Sequence, residues 1–229
     1  MLEQFEGNSQ FEGSSRFDSS SLNGSSLVDD ALKPDLVSSD VAFDGKVWDI
    51  RRDVFTLDGE PVTREYVDHT GAVAVLAMDE RDRVLLIKQY RHPVRLRDWE
   101  LPAGLLDITG ENPLLAAQRE LAEEADLVAE QWSLLCEFMT SPGGSNEVVR
   151  VYLARGVSAA PDVYARTEEE AGIELRWVPL DEVVDAVLAR NVQNSILSVA
   201  ALAAQAGRSR GWQTLADANE PWTRHPGLR

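Results

Sequence analysis

The chain has 229 residues, enough for one sizeable domain with appendages. Its 22 basic and 39 acidic side chains leave a formal net charge of −17. That balance disfavours general nucleic-acid binding, because phosphate backbones need basic surface, and any anionic ligand would require arginines or a cation gathered locally. No apolar run is long enough to span a bilayer, and no basic segment followed by an apolar stretch marks a secretory signal.

Residues 1–34 are rich in Ser, Gly, Asn and Asp, and Gln4-Phe5-Glu6-Gly7 recurs as Gln10-Phe11-Glu12-Gly13. Such a segment buries too little apolar surface to offset its ordering entropy, so residues 1–40 are expected to form a disordered tail. Order is expected from Val41. A β region over residues 41–70 contains strands Val47–Leu57 and Val62–Val67 around the turn Asp58-Gly59-Glu60-Pro61. The main body, residues 71–207, opens with strands Gly71–Met78 and Val84–Tyr90, joined by the charged turn Asp79–Arg83, and a short strand Asp98–Leu101.

A helix is expected over Leu114–Leu127. Strands Trp132–Met139 and Val148–Leu153 then flank the loop Ser141-Pro142-Gly143-Gly144-Ser145-Asn146. A strand Ile173–Val178 and helices Leu180–Ala189 and Asn194–Ala204 follow, and residues 208–229 look irregular. Strands adjacent in sequence with few helices between them indicate an α/β (α+β) fold, a mixed sheet with helices packed on it. The single cysteine, Cys136, sits in an apolar run and reads as a buried structural thiol, which fits a reducing, cytoplasmic setting.

The most informative stretch is residues 104–127, GLLDITGENPLLAAQRELAEEADL. At roughly 100° per residue, Glu120, Glu123 and Glu124 fall in one arc of the helix. Leu114, Ala117, Leu121, Ala125 and Val128 fall in another, about a quarter-turn away. The helix can thus bury one stripe and hold three carboxylates at the rim of the core. Glu-rich helices are usually solvated surface, but here Pro102-Ala103-Gly104 precede, and Pro113 stands where a first helical turn tolerates it. Crowded carboxylates repel one another, and an oxygen-rich set of this kind suits Mg²⁺ or Mn²⁺.

These residues resemble the Nudix hydrolase box: Gly, five residues, Glu, seven residues, Arg-Glu, an aliphatic, any residue, Glu-Glu, any residue, Gly, an aliphatic. Glu111 followed seven residues later by Arg119-Glu120-Leu121-Ala122-Glu123-Glu124-Ala125 fits, and Leu127 fills the last place. Two departures are visible. Gly104 lies one residue too far from Glu111, and Asp126 replaces the closing Gly at a helix end where a left-handed residue is wanted. The resemblance implies an α/β/α sandwich around a mixed sheet, with the box forming loop–helix–loop. It also implies Glu120 and Glu124 as metal ligands, Glu123 as a ligand directly or through water, and the Ala103 carbonyl completing the set. Arg119 would hold the carboxylates through salt links, and Glu111 would anchor the loop or bind metal.

Flanking segments narrow the resemblance. Arg64 to Val75, Gln89-Tyr90-Arg91, Trp99-Glu100-Leu101-Pro102-Ala103-Gly104, the Ser141–Glu147 loop and Tyr152-Leu153-Ala154 are similar, in this order, to the ADP-ribose pyrophosphatase branch and its actinobacterial members. This implies hydrolysis of ADP-ribose to AMP and ribose 5-phosphate. It also implies a homodimer in which residues 41–70 exchange contacts. Arg64 and Arg91 match positions that contact substrate phosphates, a role guanidinium groups suit by bidentate hydrogen bonding; their other reading is pairing with acids on neighbouring strands. Glu100 is placed at the substrate with them.

The general base stays open between Glu169, then Glu170, in the loop before the strand at Ile173, and Glu147 in the Ser-Pro-Gly-Gly loop. Trp48 or Phe55 could stack on adenine, or serve as core or dimer contacts. His69 reads as structural, and neither it nor His92 has zinc-ligand spacing. Two other readings remain: hydrolysis of another nucleoside diphosphate sugar or a dinucleotide, and a non-catalytic nucleotide-binding module of the same family.

Overall fold

The computed structural model describes residues 27–161 and 172–226. Strands β1 (Asp35–Phe43), β2 (Asp49–Leu57) and β3 (Glu60–Asp68) form an antiparallel three-stranded sheet. The β2–β3 turn is Asp58-Gly59, both at positive φ, which matches a tight hairpin connection. Order therefore starts before Val41. In β1 only Ser38 is even partly buried, so a strand that satisfies its backbone on β2 alone keeps the polar, exposed composition of a tail. The Gln-Phe-Glu-Gly repeat lies outside the described residues.

The main body is built on strands β4 (Ala72–Ala77), β5 (Arg83–Arg91), β6 (Leu96–Glu100) and β7 (Ala103–Leu105) and helix α1 (Pro113–Ala125). There follow β8 (Leu127–Met139), β9 (Val148–Ala159), β10 (Glu174–Pro179), α2 (Leu180–Leu188), α3 (Ser195–Ser209) and β11 (Ala216–Asp217). A five-stranded sheet has the order β11-β8-β9-β4-β7, and a second sheet has the order β10-β5-β6. The β4–β9 pairing is parallel and the others are antiparallel, so the expected mixed sheet is present.

β4 is buried along its whole length, which is why AVAVLA is a continuous apolar run rather than an alternating one. Its side chains divide between two cores. Val73, Val75 and Ala77 pack with Ala116, Ala117, Leu121 and Ala125 of α1. Ala72, Ala74 and Leu76, with Met78 just after the strand, pack with Leu180 and Val183 of α2 and Leu197, Ala200, Ala201 and Ala204 of α3. Helices on both faces of the sheet give the expected α/β/α layering. Burying Leu121 alone stabilises the α1 contact by roughly 2 kcal/mol.

Helix α1 starts one residue before and ends two residues before the expected bounds. Asn112 caps it, its side chain accepting from Leu114 N at 2.8 Å, and Pro113 follows at the first position. Asp126 ends it at φ 54° and ψ 36°, so the left-handed place of the box is filled by an Asp that adopts it. Val128 then lies on β8, outside the helical stripe assigned to it.

The C-terminal segment is more ordered than its composition implies. α3 runs to Ser209, and Trp222 and His225 are both buried. The Arg150 guanidinium lies 4.7 Å from the Trp222 ring centroid and donates to the Glu220 carbonyl at 2.8 Å. His225 Nε2 meets the Thr70 carbonyl at 2.9 Å. Gly71 beside it is at φ +85°, and a Cβ there would come 2.4 Å from His225 Nε2, so only glycine fits. Cys136 is half-buried, and burial pushes its thiol up to about 12, which keeps it protonated at neutral pH.

Candidate active site

The site forms where β7 crosses the helix of the box. Gly104 packs directly under Glu120: a Cβ on this glycine would lie 2.0 Å from the Glu120 carboxylate carbon. One residue earlier, the Ala103 N–H donates to Glu124 Oε2 at 2.9 Å, and Glu124 is only 5% exposed. The Pro-Ala-Gly turn and the Glu-Glu pair, linked across twenty-one residues of sequence from Ala103 to Glu124, are therefore one structural unit.

Arg119 organises the other carboxylates. It meets Glu111 through Nε and Nη2, both at 3.1 Å, and its Nη1 donates to Glu120 at 2.6 Å and to Glu123 at 3.1 Å. These acids hold the guanidinium well above its ordinary range, with Glu111 the largest cause. Glu111 thus anchors the box loop to the helix. Among the described residues, no three His, Cys, Asp or Glu side chains converge as a cation-holding group, and Arg119 pairs with Glu111, Glu120 and Glu123. The donors that do line up (hard carboxylate oxygens beside a backbone turn) fit a hard divalent cation in kind.

Next to this cluster opens a cavity of about 1060 Å³. Trp48, His69, Lys88, Arg91, Asp98, Glu100, Ala103, Gly104 and Glu147 line it, and the turn Asn191–Asn194 between α2 and α3 closes one wall. Arg91 meets Glu100 bidentately at 2.8 and 2.7 Å, and Gln89 donates to the same buried carboxylate at 3.1 Å. Pairing with an acid and lining the cavity are thus both true of Arg91, and the two readings do not compete.

Trp48 stacks on His69, with ring centroids 4.1 Å apart and planes 20° from parallel. His69 Nδ1 accepts from Gly71 N at 3.0 Å, and its Nε2 lies 3.5 Å from Glu147 Oε1. Burial lowers the His69 pKa, so the neutral ring carries its proton on Nε2, facing Glu147. Glu147 also accepts from the Thr140 hydroxyl.

Of the expected residues that the structure describes, Arg64 and Phe55 do not line the cavity. Arg64 lies on β3, donates to its neighbour's carbonyl (Thr63 O, 2.8 Å) and does not line the cavity within one chain. Glu169 and Glu170 lie outside the described residues. Phe55 sits on β2, paired with Val62 of β3 and Leu36 of β1. In return, the structure adds His69, Lys88, Asp98 and the Asn191–Asn194 turn. Their spacing carries no motif, and only the chain path converges them. The Ser141–Asn146 loop fastens the N-terminal sheet to the body. Asn146 accepts from His69 N at 2.7 Å and donates to Asp68 at 2.9 Å, and Gly144 accepts from Val67 N at 2.9 Å. This fastening is what presents Trp48 and His69 to the cavity.

The family model that matches residues 68–199 is the NUDIX domain. The chain belongs to the Nudix family. It is 44% identical to the ADP-ribose pyrophosphatase of Mycobacterium tuberculosis over 171 residues, which is 74% of this chain and 82% of that one. It is 35% identical to the ADP-ribose pyrophosphatase of Bacillus subtilis over 72% of this chain and 89% of that one. It is 34% identical to the methanol dehydrogenase activator of Bacillus methanolicus over 69% and 85%. A solved structure described as an ADP compounds hydrolase superposes at a TM-score of 0.66 and 18% identity, covering 81% of this chain and all of that one, and so shares the Nudix fold.

Proposed function

We propose that this Nudix protein hydrolyses ADP-ribose to AMP and ribose 5-phosphate with the help of Mg²⁺ or Mn²⁺. The observation that carries the reading is the continuity of one cavity from the Trp48–His69 stack, past Arg91 and Glu100, to Ala103 and Gly104 of β7, which pack against Glu124 and Glu120 of the carboxylate helix. An aromatic platform, a guanidinium and a carboxylate cluster in that order match a base, a diphosphate and its counter-cation. The relatives named as ADP-ribose pyrophosphatases support the substrate.

Glu120 and Glu124, with the Ala103 carbonyl, would hold the cation, and Glu123 would reach it directly or through water. A cation bound there supplies neutralisation of developing phosphate charge and acidifies water. The chain's own part is positional. Arg119 fixes Glu120 and Glu123, Ala103 N–H fixes Glu124, and Arg91 offers its exposed edge to a phosphate while Glu100 holds it in place. Of the three acids proposed to accept the water's proton, Glu147 lines the cavity, and Glu169 and Glu170 lie in the segment before β10. Water attacks one phosphorus, the P–O–P bridge breaks, and the released oxygen leaves on the other phosphate.

Full-length protein incubated with ADP-ribose and Mg²⁺ should yield AMP and ribose 5-phosphate in equal amounts, and chelation should stop the reaction until Mg²⁺ or Mn²⁺ is restored. Adenosine and ribose diphosphate as products, or turnover indifferent to chelation, would sink the reading.

A homodimer is part of the proposal. β1 is an edge strand that leaves Leu36, Val37, Val41 and Phe43 exposed, an apolar row that water disfavours and a second copy would cover. Exchange of this sheet would also carry Arg64 towards a partner's cavity. Sedimentation should give a mass of two chains, and Val41→Asp with Phe43→Asp should give one chain with weakened ADP-ribose turnover; a native mass of one chain would contradict it. The net charge of −17 supports a small anionic substrate bound by local arginines rather than a nucleic-acid partner, and the lone protonated Cys136 supports a reducing, cytoplasmic setting.

A further inference from the structure

His69 lies in the link between β3 and β4, where the N-terminal sheet meets the body, and its side chain is only 10% exposed. It makes four contacts. Its backbone N–H donates to Asn146 Oδ1 at 2.7 Å, and its ring stacks on Trp48 at 4.1 Å. Nδ1 accepts from Gly71 N at 3.0 Å, and Nε2 lies 3.5 Å from Glu147 Oε1. The Thr140 hydroxyl donates to the other oxygen of Glu147. Trp48, His69 and Glu147 all line the cavity, so one imidazole braces two of its wall residues.

This arrangement suits one protonation state. A backbone N–H can only donate, so Nδ1 must keep its lone pair and the ring's proton sits on Nε2. A second proton would land on Nδ1 and turn it against the Gly71 N–H. Gly71 is held from its other side, at φ +85° beside His225, whose Nε2 meets the Thr70 carbonyl at 2.9 Å. Burial also disfavours a charged ring, Glu147 favours it, and the balance leaves the His69 pKa below 6.5. Other charges nearby are engaged elsewhere: Asp68 with Arg51 and Asn146, and Arg91 across the cavity with Glu100. The fold thus favours the neutral ring, and that contribution is present above pH 6.5 and lost as pH falls through the lower folded value.

We infer that His69 is a positioning residue, a neutral-ring clasp that holds Trp48 and Glu147 in the cavity wall and releases them when the ring gains a second proton. The inference rests on the hydrolase reading above, in which that wall receives ADP-ribose. A positioning role has a thermodynamic signature that a purely structural one lacks. A ligand that needs the clasped wall binds the neutral-ring form more tightly, so by linkage the bound ligand lowers the His69 pKa. The negative charge of a diphosphate acts the other way on a ring it merely approaches. The direction of the change on binding therefore tells the two apart.

The test is a nitrogen–proton NMR titration of the full-length protein, with chelator present so that ADP-ribose is bound but not consumed. The His69 signals are identified by their loss in His69→Phe or, should that variant not fold, by their through-space contact with the Trp48 ring. Free protein should show the proton on Nε2 and a midpoint below 6.5. Saturating ADP-ribose should lower that midpoint by about half a unit or more, which is about a threefold preference for the neutral form. Calorimetry should show affinity falling by about threefold or more from pH 7.5 to pH 5, a range in which ADP-ribose itself has no titrating group. His69→Phe keeps an aromatic ring for Trp48 but cannot titrate, so it should bind about threefold more weakly at pH 7.5 and lose that pH dependence. An unchanged midpoint on binding is what a purely structural histidine gives, and a raised one is what a cation facing phosphate gives; either would overturn the inference. Turnover with Mg²⁺ separates the two levels of the account. A lowered midpoint without hydrolysis would overturn the reaction and keep the clasp, hydrolysis with an unmoved midpoint would do the reverse, and no binding at any pH would overturn both.

Discussion

Glu124→Gln should lower kcat by about 10³-fold while the protein stays folded, with its thermal midpoint unchanged or raised. The side chain is 5% exposed and lies beside Glu120 and Glu123 on one helix. The amide keeps an oxygen that can accept from Ala103 N, now held at 2.9 Å, so the tie between the Pro-Ala-Gly turn and the helix survives. What disappears is one negative charge from a crowded carboxylate set. Without a cation, removing that charge relieves repulsion and desolvation, so stability does not fall. With a cation, it removes a ligand. The pairing of a catalytic collapse with an intact fold, read by steady-state kinetics and a melting curve, is what separates a metal site from a surface Glu run. Activity within a few fold of wild type would refute the metal assignment.

Gly104→Ala should cost roughly two orders of magnitude in kcat, with only a modest loss of stability. The new methyl would lie 2.0 Å from the Glu120 Cδ and Oε1 and 2.5 Å from its Cγ, so the side chain must swing aside. Doing so breaks the 2.6 Å link to Arg119 and displaces a carboxylate the site depends on. Glu120 is long and able to move, so the fold tolerates what the chemistry does not. Gly110, also in the box loop, is the control. A Cβ there meets nothing within 4 Å, although its φ of +80° disfavours alanine, so Gly110→Ala should weaken the loop without this loss of kcat. Equal kcat losses in the two variants would show that loop strain, rather than the Glu120 position, limits catalysis.

Much of this was legible in the sequence because the box is local. Arg119, Glu120, Glu123 and Glu124 are helical neighbours, and helical geometry alone places them together. The apolar run of β4 likewise declares its burial. Edge strand β1 was hidden because an edge strand's hydrogen bonds belong to the backbone and leave no mark on polar, exposed side chains. The C-terminal segment was hidden because its order rests on two residues, Trp222 and His225, whose partners Arg150 and Thr70 lie far away in sequence. The cavity wall fails to read for the same reason: Trp48, His69, Asp98 and Asn194 come from four separate places along the chain, and nothing in their spacing announces that they meet. At the Asp126 departure from the box, the residue reaches the left-handed conformation that the closing position requires. Gly104, the other irregular position, keeps its place under Glu120 despite the extra residue in the loop.

The proposed base platform at Trp48, diphosphate contact at Arg91 and cation site beside Ala103 together suit ADP-ribose. Steady-state kcat/KM with Mg²⁺, measured side by side for ADP-ribose, GDP-mannose and a diadenosine polyphosphate, tests this most directly. ADP-ribose should lead by about tenfold or more. Equal or faster turnover of either of the other two would contradict it.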